Sequence, residues 1–321
     1  MNNRTFCDKI RELKGFCFIR YIFVVNPAAG KDKKALSLIP EIQKVCKKAG
    51  AECEIYISKS GEGITDYVGK CCEKGEEIRF YAIGGDGTLN RVVNGRVGWR
   101  NVAVGVIPLG TGNDFIKTVN LPQEKFFDIE AQINGDVHPC DLLTYNGKYS
   151  VNMVNIGFDA DVATDMPKFK GASFITNDMA YKLALFYNFT KKLGRELEIY
   201  TDDKLLYKGD VLMCAIGNGI SCGGGFLVTA KAKTDDGLID VSAVTPPPRL
   251  QLPGFIKYFT AGVQFESPKV QPYIHFSRCK TVKITGKKPF SVVNDGESEK
   301  LTEIQCKIVP GGFNFIIPKN R

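Results

Sequence analysis

Hydrophobic and polar positions follow two rhythms along this chain, changing near residue 135. In the first stretch, short apolar runs alternate with segments of helical period. Phe16 to Val25 reads as a strand. Leu36, Ile39, Ile42 and Val45 then recur at helical spacing, predicting a helix from about Ala35 to Ala49 with Gly50 past its end. Glu52 to Ile57 predicts a second strand and Ile64 to Cys72 a second helix. Phe80 to Ile83 and Val102 to Ile107 are apolar without a polar face, as in parallel strands covered on both sides. This alternation predicts a doubly wound, mostly parallel α/β sheet. Beyond it, Gly147 to Gly157, Glu196 to Tyr200, Lys208 to Gly217, Gly237 to Val244, Thr281 to Thr285 and Phe290 to Val293 read as strands joined by Gly, Asp and Asn turns. A helical stretch from Asp178 to Leu193 interrupts them. Pro246, Pro247, Pro248 and Pro253 mark a loop before a short helix at about 254 to 263. The second half is therefore a mainly antiparallel β domain.

Three of the early strands run into turns of special composition. Phe80 to Ile83 leads into Gly84-Gly85-Asp86-Gly87-Thr88-Leu89-Asn90, where the glycines permit close approach of a ligand to the backbone. Thr88 is expected to cap a helix starting near Leu89 and carrying Val92 and Val93. Amide groups at such a helix start hold an anion, and a phosphate suits them best. A carboxylate there, Asp86, makes sense beside a metal ion or as a proton acceptor, which points to phosphoryl transfer. The other two turns are Asn26-Pro27-Ala28-Ala29-Gly30-Lys31 and Pro108-Leu109-Gly110-Thr111-Gly112-Asn113-Asp114. In an open α/β sheet all three gather at the carboxyl ends of the strands, where ligands bind. The P-loop is excluded, because Val25 stands where its first glycine belongs and Asp32 where Ser or Thr should bind magnesium. The dinucleotide fingerprint fails too, since Asn90 and Phe115 occupy the places of its third glycine.

Composition narrows the picture only a little. The 321 residues can form one large domain or two ordinary ones, and the net charge of +8 suits an anionic partner such as a nucleotide, an anionic lipid surface or nucleic acid. Ordinary solubility charge explains it equally well. The 11 cysteines include no C-x-x-C pair, and with two histidines, His138 and His275, no zinc-finger spacing can be assembled. They are expected to be reduced and mostly structural, in a cytoplasmic protein. Arg20 interrupts the first apolar run, so it is read as a strand and not as a secretory signal. No apolar run approaches the roughly 18 residues of a transmembrane helix, so any membrane contact is expected to be peripheral. Residues 1 to 15 could form a short basic amphipathic helix with Phe6, Ile10 and Leu13 on one side, either packed on its own domain or touching a membrane surface.

Taken together, NPAAGK at Asn26 to Lys31, GGDGTLN at Gly84 to Asn90 and PLGTGNDF at Pro108 to Phe115 resemble the diacylglycerol-kinase-type lipid kinases, the soluble bacterial branch related to sphingosine and ceramide kinases. The resemblance continues through Asp141-Leu142, Asn155-Ile156-Gly157-Phe158-Asp159, Gly217-Asn218, Gly223-Gly224-Gly225, Asp235 to Val241 and Asp295-Gly296-Glu297, and covers about Tyr21 to Pro318. It implies an N-terminal α/β ATP domain over 1–137, joined by the closing segment 310–321, and a C-terminal β-sandwich lipid domain over 138–309. It places ATP across Asn26, Pro27, Ala28, Ala29, Gly30, Ser58, Gly84, Gly85, Asp86, Gly87, Thr88, Leu89, Asn90 and Thr111; Ser58 departs from the usual threonine but keeps the hydroxyl. It makes Glu297 the general base on the lipid hydroxyl, with Asp86 as the other catalytic acid. It implies Mg2+ held by Asp236 with the carbonyls of Lys233 and Leu238, an oxygen set that suits this ion. Asp114 and Asp141 would be further acids around the cleft, with Lys31 as counter-charge. His138 and His275 have no role in the matched pattern.

The expected activity is transfer of the γ-phosphate of ATP to a lipid hydroxyl, most naturally that of diacylglycerol, by a cytoplasmic enzyme at the membrane surface. No nucleic-acid partner is implied, and a homodimer is compatible. Other lipids (sphingosine-like, ceramide-like or polyprenol) are alternative substrates. A soluble-substrate enzyme resembling NAD kinase shares the Gly-Gly-Asp-Gly-Thr turn but leaves the Asp-Gly-Glu element and the sandwich motifs unexplained. An inactive lipid-binding regulator is the alternative outside enzymes, opposed by the intact Asp86 and Glu297.

Overall fold

The computed structural model describes residues 19–30, 34–119, 121–169, 177–191, 193–294 and 297–319. Residues 1–15, Lys31, Asp295 and Gly296, to which the sequence reading gave roles, lie outside these, as do Cys7, Cys17 and the side chain of Glu297.

The first half alternates strand and helix. Strand β1 (Arg20–Val25) is followed by a helical turn α1 (Lys34–Ser37) and helix α2 (Ile39–Ala49). The single helix expected here is broken at Leu38, because Pro40 belongs in a helix's first turn, where no amide is needed. Gly50 ends α2 in the left-handed conformation at φ 64°. Then come β2 (Cys53–Ile57), α3 (Gly61–Cys72), β3 (Ile78–Gly84), α4 (Asp86–Arg96) and β4 (Val102–Pro108). These strands are parallel in the order β4-β3-β1-β2. The chain leaves β1 toward one side for β2 and returns on the other for β3, so a crevice opens between the ends of β1 and β3. Apolar side chains cover both faces: Ile22, Phe80, Val104 and Leu89 on one, Phe23, Tyr81 and Ile42 on the other. Arg20, the charge inside the first apolar run, sits at the strand's start, bonded to Glu54 and Glu76 at 2.8 Å each.

Two expectations change in this half. The cysteines are not all reduced: Cys46 and Cys53 form a disulfide, because the Gly50 turn folds the end of α2 back onto β2 and brings the two Cα atoms to 6.1 Å. Seven other described cysteines are free and buried. Thr88 does not cap a helix. The helix begins three residues earlier, at Asp86, with Gly85 at its cap and no side-chain cap hydrogen bond.

Short helix α5 (Ile129–Ile133) leads into β5 (Asp136–Tyr145), β6 (Lys148–Ser150) and β7 (Met153–Gly157), then α6 (Phe158–Asp165) and α7 (Asn177–Thr190). After them come β8 (Arg195–Thr201), β9 (Lys204–Val211), β10 (Met213–Gly217), β11 (Ile239–Val244), α8 (Leu252–Ala261), β12 (Ile274–Cys279), β13 (Thr281–Asn294) and β14 (Glu297–Ile317). The two strands expected at Thr281 and Phe290 are one bent strand. Its register shifts between Thr285 and Phe290, so the first part pairs with β8 and the last with β7. A strand that changes partners in this way turns a sandwich corner, and Leu197, Ile199, Val241, Phe290 and Ile304 fill the space between the layers. The expected domain boundary at 137/138 falls inside β5, which pairs along β14. The end of β14 in turn runs parallel to β4, with Asn314 opposite Ala103. Hydrogen-bonded strands thus run without a break from the sandwich into the α/β sheet.

Candidate active site

The crevice between β1 and β3 holds a cavity of about 370 Å³. Its walls come from the turn after β1 (Asn26, Pro27, Ala28), the segment after β2 (Ser58, Lys59, Ser60, Gly61) and the start of α4 (Gly85, Gly87, Thr88, Arg91). Side-chain amides shape these turns. Asn26 Oδ1 accepts from the Ala28 amide at 3.1 Å, and Asn26 Nδ2 donates to Thr88 Oγ1 at 3.3 Å, tying the first turn to the second. Ser60 caps α3 by accepting from the Gly63 amide at 3.2 Å. The third turn is folded by Asn113, whose Oδ1 accepts from the Gly110 amide and whose Nδ2 donates to the Gly110 carbonyl, both at 2.9 Å. Here the glycines are required by contact: a β-carbon on Gly110 would lie 2.5 Å from the Cα of Gly85. The two turns pack backbone on backbone, and any side chain would part them.

Not every expected nucleotide residue lines the cavity. Asn26, Pro27, Ala28, Ser58, Gly85, Gly87 and Thr88 do. Ala29 and Leu89 are buried in core clusters, Gly30 holds the end of its turn at φ 78°, and Gly84 closes β3. Asn90 accepts from Asn94 Nδ2 one helical turn on, and Thr111 is exposed on the third turn, near Gly224. Two cations in the wall, Lys59 and Arg91, were missed. Arg91 was legible in principle, because it stands four residues after Gly87 on the same face of α4.

Asp86 sits in the first turn of α4. Its Oδ1 accepts from the Phe115 amide at 3.2 Å. Burial, and after it the Asp114 carboxylate, push its pKa above the usual aspartate value. A β-carbon on Gly112 would stand 2.8 Å from Asp114 Oδ2 and 3.1 Å from Asp86 Oδ2, so those oxygens are at most about 6 Å apart. Asp114 is differently employed. It accepts from Lys117 Nζ at 2.7 Å, Ser221 Oγ at 2.8 Å and the Gly224 amide at 3.0 Å, joining the third turn to the Gly223–Gly225 loop of the second half. Asp141, expected at the cleft, is 2% exposed and grips backbone: Oδ2 takes the Gly237 amide at 2.6 Å and Oδ1 the Gly311 amide at 2.8 Å. Glu297 opens β14 with its backbone opposite Asn294.

The side chain of Asp236, expected to hold magnesium with the carbonyls of Lys233 and Leu238, is engaged by neighbouring groups. Asp236 Oδ1 closes a turn on the Leu238 amide at 3.1 Å, and Oδ2 pairs with the Arg278 guanidinium. Arg278 Nε also bonds Asp240 Oδ1 at 2.9 Å, and Asp240 is 1% exposed. A cation on Asp236 Oδ2 would compete there with the Arg278 guanidinium, which keeps Asp240 through its Nε. Among the described residues no group of three His, Cys, Asp or Glu could hold a metal.

A parallel sheet with glycine turns at its switch point, strand-linked to a sandwich, is a two-part architecture of the nucleotide-binding kind. Residues 20–145 match the diacylglycerol kinase catalytic domain, and residues 152–317 match the YegS C-terminal NAD kinase beta sandwich-like domain. The chain belongs to the diacylglycerol-kinase-type lipid kinase family and is a kinase. It is 27% identical over 276 residues to a diacylglycerol kinase of Staphylococcus saprophyticus, covering 85% of this chain and 87% of that one. It is 28% identical over 276 residues to the diacylglycerol kinase of Bacillus subtilis, covering 85% and 88%. A solved structure described as a diacylglycerol kinase from Bacillus anthracis shares the fold, with a TM-score of 0.69 at 22% identity over 92% of this chain and 96% of that one.

Proposed function

We propose that this kinase transfers the γ-phosphate of ATP to the hydroxyl of diacylglycerol, giving phosphatidic acid, at a membrane surface. The observation that carries the reading is the cavity at the β1/β3 switch point, walled by an uncapped helix start and two cations, with Asp86 in the first turn of that helix. ATP phosphates suit the amides at the start of α4 beside Lys59 and Arg91. In this reading residues 1–137 with 310–321 serve the nucleotide and 138–309 the lipid. Glu297 takes the proton from the lipid hydroxyl, and Asp86, near the transferring group, keeps charge and geometry in order. Mg2+ belongs to the reading as the companion of the ATP phosphates, whose negative charge it neutralises; the Lys233–Asp236–Leu238 turn is not assigned a resident ion. The relatives named diacylglycerol kinase support the choice of lipid, and a soluble acceptor leaves the sandwich half without a task. The test is ATP consumption over a panel of detergent-dispersed lipids, with NAD as the soluble control and mass analysis of each product. Phosphorylation of NAD and of no lipid would overturn the proposal.

A further inference from the structure

The face of β13 that looks into the sandwich carries Ile284, Phe290 and Val292, each at most 1% exposed. The next residue in this alternation is Asn294, opposite Val154 of β7 and 6% exposed. An apolar side chain would continue the core here, because a buried amide has to find hydrogen-bond partners. Asn294 finds few. Its Nδ2 donates to the Tyr149 carbonyl at 3.4 Å, and its Oδ1 is buried without a partner among the described residues. The sandwich core does not account for this amide; the Tyr149 carbonyl is what it serves.

That carbonyl is shared between the two halves of the chain. Tyr149 lies on β6, and its ring packs against the core of the α/β half. Asn94 of α4 also donates to it, through Nδ2 at 3.3 Å, and the same amide donates to the Asn90 carbonyl at 2.8 Å. Helix α4 opens at Asp86, so Asn90 and Asn94 stand about one and two turns along from the phosphate-facing start. On the other side, the backbone of Asn294 pairs with that of Glu297 at the end of the β13–β14 ladder. Two side-chain amides, one from each half, thus converge on one carbonyl between α4 and the strand end that carries Glu297. A second tie runs alongside, from Lys148 Nζ of β6 to Glu299 at 2.8 Å. Both of its side chains reach solvent, and such a pair holds weakly.

We infer that Asn294 is a positioning residue, which through the Tyr149 carbonyl fixes the Glu297 end of the β13–β14 hairpin relative to α4. The inference rests on the lipid-kinase reading, in which Glu297 takes the proton, and adds what sets that residue against the phosphate-facing helix. Strand β14 joins β4 at Asn314 and Phe315, far along the chain from Glu297, so the sheet itself leaves this end free to shift. Apolar contact across the seam would let the halves slide, whereas amide bonds are directional and set a distance. Removing a proton from a lipid hydroxyl requires hydrogen-bond reach, and a displacement of about 1 Å costs roughly 100-fold in rate.

The test compares wild type with Asn294→Leu, Asn94→Leu, their double variant, and Glu297→Gln with and without Asn294→Leu. Leucine is of similar size and cannot donate. For Asn294→Leu, kcat on detergent-dispersed diacylglycerol should fall about 10- to 100-fold, while KM for ATP and for lipid and the melting temperature stay at wild-type values. The double variant should lose less than the product of the two single losses, because both amides act through one carbonyl. In the Glu297→Gln background Asn294→Leu should have no further effect, since the group it places no longer takes a proton. Amide hydrogen exchange over 297–301 should be faster in Asn294→Leu whatever the substrate. Exchange equal to wild type in that stretch overturns the inference, as does a wild-type kcat for Asn294→Leu, which leaves Glu297 as the base. A variant that melts well below wild type, with normal turnover by its folded fraction, assigns Asn294 to the fold alone and overturns it too. If Glu297→Gln turns over at the wild-type rate with chemistry rate-limiting, the catalytic reading itself fails and the inference falls with it.

Discussion

Asp86→Asn should kill the enzyme and stabilise the fold. The substituted amide keeps the size of the carboxylate and can still accept from the Phe115 amide, so packing is unchanged. What disappears is the repulsion between Asp86 and Asp114, whose nearest known oxygens are at most about 6 Å apart. Two unit charges at that distance repel by about 3 kcal/mol at an effective dielectric constant of about 20. Solvent at the mouth of the cleft lowers this, and the loss of a negative charge at the start of α4 gives back roughly 0.3–1 kcal/mol. The net gain is on the order of 1 kcal/mol, or about 2 °C in melting temperature for a chain of this size. The pH dependence has a definite sign. Burial and Asp114 raise the folded-state pKa of Asp86 above its unfolded value, so the wild-type chain pays its penalty at pH values above the folded pKa. The variant's advantage is therefore full near neutrality and fades as pH falls through the folded pKa toward the unfolded value of about 3.9. Paired thermal melts across pH, with turnover measured on the same preparations, decide the matter. A variant that melts below wild type at pH 7, or that retains near-normal turnover, refutes the reasoning.

Glu297→Gln keeps the shape of the side chain but cannot accept a proton, so kcat on a lipid acceptor should fall by roughly 10²–10⁴-fold with ATP affinity almost unchanged, measured by steady-state kinetics and nucleotide titration. An undiminished kcat with chemistry rate-limiting removes Glu297 from the mechanism. In the absence of ATP, neither EDTA nor millimolar Mg2+ should move the melting temperature, because Arg278 already supplies the positive charge at Asp236. A magnesium-dependent rise by several degrees would mean that the ion displaces the guanidinium.

Elements with a strong period were legible in the sequence. The parallel strands and glycine turns of the first half, and most sandwich strands, follow from apolar runs and turn residues. Legibility failed where the partner lies far along the chain. Strand β5 was missed because Pro139 argues against a strand, yet Pro139 sits opposite Asn314, which is 175 residues away. The Asp236–Arg278 pair depends on β11 meeting β12 in a register that sets Asp240 beside Arg278, and no local spacing reveals that. The Cys46–Cys53 bridge is local but needs the left-handed Gly50 to close. The candidate cavity was partly legible, since two of the three glycine turns line it, whereas the segment after β2 that completes its wall was foreseen only at Ser58. Its cations were less so, because Lys59 and Arg91 resemble ordinary surface charges until the turns are brought together.

The three aspartates expected around the cleft divide by what their oxygens already hold. Asp86 is met by amides of its own turn and of the third turn, with no cation or hydroxyl among the described residues, whereas Asp114 is held by a lysine, a serine and an amide, and Asp141 spends both oxygens on amides from distant segments. A carboxylate gripping two amides from distant segments fixes backbone; it has little capacity left for a phosphate or a metal. Asp141 joins β5 to the turn before β11 at Gly237 and to the β14 bend at Gly311, which has φ 58°. Asp141→Asn leaves one acceptor and sets an NH2 group against the second amide, so one charge-assisted hydrogen bond is lost and two donors are set against each other. Such a loss costs on the order of 2–3 kcal/mol. The variant should lose that amount in urea denaturation while the folded fraction retains turnover, the reverse of Asp86→Asn. If instead Asp141→Asn unfolds at the wild-type urea midpoint and turnover vanishes, Asp141 acts on the reacting groups and the division by occupied oxygens is wrong.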